Sequence, residues 1–106
     1  MASMTMFQGD SSDVVSVAVY AAGVKVTDLT GYSGRLTVVK KLGDVPLVDK
    51  TMTVVGSDFR ASITPAESAA LALGSYLIVT EIENNGLGFK RENHTALTVN
   101  KQGYVP

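Results

Sequence analysis

Short segments in which apolar and polar residues alternate constrain the fold of this chain more than any other feature. Gly, Asn, Asp or Pro bounds each segment, and the spacing of about ten residues is typical of a sandwich or a barrel. The clearest segment places Phe59, Ala61 and Ile63 on one face, because successive side chains of a strand point to opposite sides. We therefore predict one all-β domain over residues 1–106, an antiparallel β-sandwich of about seven strands.

One helical signal interrupts these segments. Thr64 offers a hydroxyl at the N-cap, Pro65 occupies the first helical position, and Glu67 lies three residues past the cap, which is the pattern of a capping box. It predicts a short helix at residues 65–70, in a crossover between two strands. Tyr76 then begins a strand, two residues before an inward Ile78. This is the spacing of a tyrosine corner, in which the hydroxyl bonds back to the crossover; an ordinary tyrosine at the edge of the core is the alternative.

Two further segments give specific expectations. Asn84-Asn85-Gly86 predicts a hairpin with a type I′ turn, because both central positions of that turn require positive φ. The return strand is expected from Phe89 to Val99. Leu47 to Val55 is expected to form one strand, with Val48, Met52 and Val54 on one face.

Composition excludes several classes of function. The net charge is -1 and charged residues make up 18% of the chain, so the basic surface of a nucleic-acid-binding protein is missing. The absence of cysteine excludes disulfides, thiolate metal sites and a cysteine nucleophile. No apolar stretch approaches the roughly 20 residues of a membrane span. We expect no nucleic-acid partner and no membrane span.

Candidates for catalysis or metal binding are few. His94 is the only histidine, and we expect an exposed, structurally neutral side chain rather than a general base or metal ligand. The oxygen-rich residues 10–13 lack the glycine and distal glutamate of a calcium loop, so a solvated turn is favoured. Glu81 and Glu83 share one face of a strand, and we interpret this as the solvent-exposed face of the strand rather than as a glycosidase pair. We expect no enzyme activity, catalytic residue, metal or cofactor.

Three segments carry a family resemblance. Residues 64–76 have the pattern TPAE-x-AAL-x-x-G-x-Y, residues 28–31 read Asp-Leu-Thr-Gly, and residues 7–11 read Phe-x-Gly-Asp-Ser. In their order along the chain they resemble the immunoglobulin-like domains of tailed-phage virion proteins, in particular the amino-terminal domain of baseplate upper proteins and related tail-fibre domains. The resemblance implies an immunoglobulin-like sandwich and a place in the virion, after assembly in the host cytoplasm. The cysteine pair and tryptophan of antibody domains are missing.

The resemblance also implies a role. We expect a non-enzymatic structural protein of a bacteriophage virion that docks onto neighbouring subunits, as a tail or baseplate accessory, a fibre adaptor or a capsid decoration. The family's domains commonly precede a fibre, and none follows Pro106 here, so we expect attachment to other virion proteins. Low charge and many β-branched residues favour a homo-oligomer or multi-copy assembly.

The candidate contacts are apolar residues in two possible extended arms, residues 1–7 and 101–106. They are Met4, Met6, Phe7, Tyr104 and Val105. For residues 5–8 the alternative is the first strand of the sandwich itself.

A different class of function remains open, namely a module that binds carbohydrate or another host-surface ligand at its loop tips. The aromatic side chains for such a site would be Tyr20, Tyr32, Phe89 and Tyr104.

Overall fold

The fold follows from a computed structural model of the chain, which describes residues 2–11 and 14–101. These residues form ten strand segments, one short α-helix and one 3-10 turn. The strands are β1 (Ala2–Phe7), β2 (Val15–Ala18), β3 (Tyr20–Ala21), β4 (Val24–Lys25), β5 (Ser33–Val39), β6 (Val48–Thr51), β7 (Thr53–Val55), β8 (Asp58–Ala61), β9 (Gly74–Asn84) and β10 (Phe89–Asn100). The helix α1 is Pro65–Ala69 and the 3-10 turn is Asn85–Leu87.

The strands form two main sheets and a small hairpin. The larger sheet has the order β1-β10-β9-β5-β6, the second has the order β2-β8-β7, and β3 pairs with β4. The predicted all-β class is thereby confirmed. One pairing departs from the antiparallel expectation: β1 runs parallel to β10. These strands come from opposite ends of the chain, so no tight turn forces them to be antiparallel.

The two main sheets enclose the core. Phe59 of β8 is 2% exposed and packs against the larger sheet at Gly34 of β5. A Cβ atom at Gly34 would lie only 2.8 Å from the Phe59 ring, so the glycine permits this close approach. The largest fully buried side chains are Phe59, Leu36, Ile63, Ile78, Ile82, Leu97, Val38 and Val99.

The segment expected to be a single strand over residues 47–55 is divided between the two sheets. At Met52 the backbone N–H donates to the Gly34 carbonyl oxygen at 2.8 Å. Before this point β6 pairs with β5, and after it β7 pairs with β8. The expectation that Val54 shares one face with Val48 and Met52 is wrong, since those two side chains are buried, whereas Val54 lies on the edge strand β7 and is 50% exposed. Because of divisions such as this one, the described residues form ten strand segments, more than the seven or so strands expected.

The predicted hairpin is confirmed, but its turn is of another type. β9 and β10 pair from Asn84 with Phe89 to Gly74 with Val99. A 3-10 turn connects them, and in this connection positive φ occurs at Gly88 rather than at Asn85 and Gly86. The four-residue connection needs a left-handed backbone conformation only at Gly88, where the chain re-enters the sheet. Glycine adopts this conformation without strain.

Candidate docking surfaces

The amino-terminal contact candidates lie in the larger sheet. Residues of β1 pair with β10 from Ala2 with Thr95 to Phe7 with Asn100. Met6 is 3% exposed in the core, while Met4 and Phe7 are half-buried. An extended arm at residues 2–7 is therefore replaced by the alternative of a first strand, because burial of Met6 and the backbone pairing hold it in place. Tyr104 and Val105 lie outside the described residues.

The crossover carries the predicted structural residues in the predicted roles. The Thr64 hydroxyl accepts a hydrogen bond from the Glu67 N–H at 3.2 Å, and the Glu67 carboxylate accepts one from the Thr64 N–H at 2.8 Å. Pro65 begins α1, and Lys50 of β6 reaches the Glu67 carboxylate at 2.9 Å. The backbone bond from Thr64 is the main cause that lowers the pKa of Glu67, and Lys50 lowers it further. The ion pair between Lys50 and Glu67 thus attaches α1 to β6, the edge strand of the larger sheet.

Tyr76 holds the other end of the crossover. Its ring is 5% exposed, and its hydroxyl donates to the Ala72 carbonyl oxygen at 2.5 Å. The Lys40 ammonium lies 4.5 Å from the ring centre. Residues 70–73 and the loop after β5 are therefore held side by side.

An exposed apolar surface lies at this end of the larger sheet. β5 ends at Val39, β6 begins at Val48 and β9 begins at Gly74, so residues 40–47 and 70–73 leave the sheet together. Of the ten large apolar side chains exposed in the described residues, four lie in these two loops. We call them the apolar end: Leu42, Val45, Leu47 and Leu73.

The apolar end was absent from the sequence-based contact candidates. Its signal was available in the segment Leu42-Gly43-Asp44-Val45-Pro46, whose glycine and proline are typical of a loop and which carries large apolar residues. Loops run over the surface, so such residues are exposed unless another element covers them. Val45 is 83% exposed.

A groove lies toward the other end of the molecule. It has a volume of about 140 Å³, and its walls include Val17 and Tyr20 on one side and Phe89 and Arg91 of β10 on the other, with Ile82 of β9. Three of the four aromatic candidates for ligand binding meet in this region. Tyr20 and Phe89 line the groove, and Tyr32 packs edge-on against Phe89 with ring centres 5.5 Å apart.

Three of the residues considered for catalysis or metal binding lie on two neighbouring strands of the larger sheet, His94 on β10 and Glu81 and Glu83 on β9. His94 is half-buried rather than exposed as expected, with its Nε2 atom 3.6 Å from the Glu92 carboxylate. Glu81 pairs with Lys90 at 3.6 Å across the outer face of the larger sheet. Of the oxygen-rich turn at residues 10–13, two residues lie outside the described part. Residues 2–11 and 14–101 contain no group of three His, Cys, Asp or Glu side chains placed to hold a metal.

No described helix is long and apolar enough to cross a membrane. No protein-family model matches the chain, and no curated protein matches it either.

Proposed function

We propose that the chain is a structural protein of a tailed-phage particle, built on an immunoglobulin-like sandwich, that docks onto a neighbouring virion subunit through its apolar end. The observation that carries the proposal is the exposure of Leu42, Val45, Leu47 and Leu73 together at one end of the sheet.

The strand order supports the immunoglobulin-like part of the proposal. In immunoglobulin domains one sheet contains strands G, F and C, and the other contains B, E and D. Here β10, β9 and β5 are neighbours in the larger sheet, and β2, β8 and β7 form the second. Tyr76 lies near the start of β9, in the place of strand F, with its hydroxyl bonded to the preceding crossover at Ala72. This is the position and bonding of a tyrosine corner.

The apolar end supports the docking part. Its four side chains come from two loops at the same end of the larger sheet, and Tyr76 contacts both loops, through the Lys40 ammonium and the Ala72 carbonyl oxygen. Moving a Val or Leu side chain from water into an apolar contact contributes roughly 1.5–3 kcal/mol when burial is complete. A protein partner with a complementary apolar surface can bury several of these side chains at once, so that their contributions add to the binding free energy. A small polar ligand cannot bury them in this way. The partner we propose is therefore a neighbouring protein of the particle.

The test compares two surface variants in particles of the phage that encodes the chain. The double variant Val45→Asp with Leu73→Asp places two charges in the apolar end, where both side chains are exposed. The control is Leu87→Asp in the 3-10 turn at the far end of the sheet, which is 71% exposed. We expect the double variant to lose at least tenfold in particle incorporation, while the control retains wild-type incorporation.

Thermal unfolding of each purified variant shows whether a loss of incorporation reflects lost folding. Wild-type incorporation of a folded double variant would contradict docking through the apolar end.

A further inference from the structure

Half of β10 has a backbone edge that no other strand of the described residues borders. β1 pairs only with residues 95–100 of β10, so within the described residues 89–94 pair with β9 on one side only. The Gln8 N–H donates to the Asn100 carbonyl oxygen at 2.8 Å on the β1 side. Backbone groups alternate in direction along a strand, so the even-numbered residues of β10 direct their N–H and C=O groups to the same side as Asn100. The backbone groups of Lys90 and Glu92 therefore face the open side.

The groove described above runs beside this edge. The odd-numbered residues of β10 face the inside of the sandwich with Leu97 and Val99, so Phe89 and Arg91 line the groove. The opposite wall is β2, which is itself an edge strand of its sheet. The volume of about 140 Å³ is similar to that of a core cavity that accepts benzene. It therefore has room for one apolar side chain of that size.

The groove also contains a cation without an acidic partner. Within the described part of the chain no ion pair involves Arg91; its guanidinium donates to the Lys90 carbonyl oxygen at 3.2 Å and lies 4.7 Å from the centre of the Phe89 ring. A carboxylate brought to this position would form a charge-assisted hydrogen bond, and Arg often binds carboxylates through two such bonds. The charge of the groove therefore favours an acidic occupant.

We infer that residues 89–93 of β10 accept an extended segment of a partner protein by strand addition. The added strand pairs with the backbone groups of Lys90 and Glu92 and replaces the Arg91 guanidinium as the donor to the Lys90 carbonyl oxygen. It places a carboxylate opposite Arg91 and inserts an apolar side chain, two residues away, into the groove. Charged residues on an edge strand discourage indiscriminate pairing, so the segment is selected by its acidic residue. The inference is independent of the apolar end, which lies at the other end of the sheet.

The test uses a blocked peptide, Thr-Val-Thr-Asp-Thr-Val-Thr, and the same peptide with Asn in place of Asp. Titration followed by amide NMR signals of the whole chain gives both the affinity and the position of binding. We expect the Asp peptide to bind about five- to tenfold more tightly than the Asn peptide, with the largest shifts at Lys90 and Glu92. Arg91→Gln should remove the preference, whereas Arg60→Gln on β8 should retain it.

The inference would be overturned by a lack of saturable binding of the Asp peptide at millimolar concentration, by equal binding of the two peptides, or by shifts confined to other strands. Binding of N-acetylneuraminic acid at Arg91 without binding of the peptide would also overturn it, and would assign the groove to an acidic sugar. The double variant Val45→Asp with Leu73→Asp should bind the peptide like the wild type, which separates this test from that of the apolar end.

Discussion

The Tyr76 hydroxyl donates a 2.5 Å hydrogen bond to the carbonyl oxygen of Ala72, four residues before it in the chain. The bond joins the end of the crossover to the start of β9, and the buried ring packs among the other core side chains. The polar group of a large core side chain is thereby satisfied without water. One residue thus fixes both the entry of a central strand and the path of the loop that carries Leu73.

Tyr76→Phe keeps the buried ring and removes only this bond. We expect a loss of about 1 kcal/mol in the free energy of unfolding, measured by urea denaturation. Tyr20→Phe is the matched control because Tyr20 is 55% exposed, and it should change stability by less than about 0.5 kcal/mol. Equal effects of the two substitutions would contradict a structural role for the Tyr76 hydroxyl.

The capping box gives the protein a defined dependence on pH. The Thr64 N–H first, and Lys50 in addition, lower the pKa of Glu67 below its ordinary value of 4.5. A carboxyl group whose pKa is lowered by folding contributes stability above the ordinary value, and this contribution is lost as the pH falls through the lowered one. Glu67→Gln keeps an oxygen that can accept from Thr64 but removes the charge.

We therefore expect the wild type to be more stable than Glu67→Gln by on the order of 0.5 kcal/mol at neutral pH. The difference should decrease below pH 4.5 and vanish when the carboxyl group is protonated in both the folded and the unfolded states. Chemical denaturation at a series of pH values measures it. A difference that stays constant throughout acidification would show that the Glu67 charge contributes nothing.

At Gly34 the two sheets approach each other closely. A Cβ atom there would lie 2.8 Å from a carbon of the Phe59 ring and 3.0 Å from the end of Ile82. We expect Gly34→Ala to cost about 1–3 kcal/mol through overpacking. Gly86→Ala, whose added Cβ would be 3.4 Å from an Asn84 oxygen, should have a much smaller effect in the same thermal unfolding experiment. A neutral Gly34→Ala would mean that the sheets are farther apart.

Met6 distinguishes a strand from an arm. Since its side chain is 3% exposed, Met6→Ala should destabilise the fold by about 2–4 kcal/mol, as measured by urea denaturation. Thr5→Ala, at the neighbouring exposed position of β1, should change stability by less than about 0.5 kcal/mol. If both variants retained wild-type stability, β1 would not be part of the folded core.

Local patterns in the sequence predicted the features that depend on neighbouring residues. The capping box of Thr64 and Glu67 was predictable because its partners are three residues apart. The alternation that buries Phe59 and Ile63 was equally clear. The bond from Tyr76 back to the crossover was predictable because its partner Ala72 lies only four residues away.

Features that depend on distant partners were not predictable. Met52 changes sheets because its N–H meets Gly34, a residue 18 positions away, and no local pattern signals this. The parallel pairing of β1 depends on β10, at the other end of the chain. The apolar end joins two loops that are adjacent only because β5 and β9 pair, so Leu73 and Val45 could not be grouped from sequence alone.

The most direct test of docking through the apolar end is site-specific photo-crosslinking in assembled particles. A photoreactive amino acid replaces Val45 in one variant and Leu87 in another, both of which are highly exposed in the isolated chain. We expect position 45 to give a covalent adduct with one neighbouring virion protein, identified by mass spectrometry, and position 87 to give none with that protein. Absence of an adduct from position 45 in particles that contain the variant would contradict docking through the apolar end.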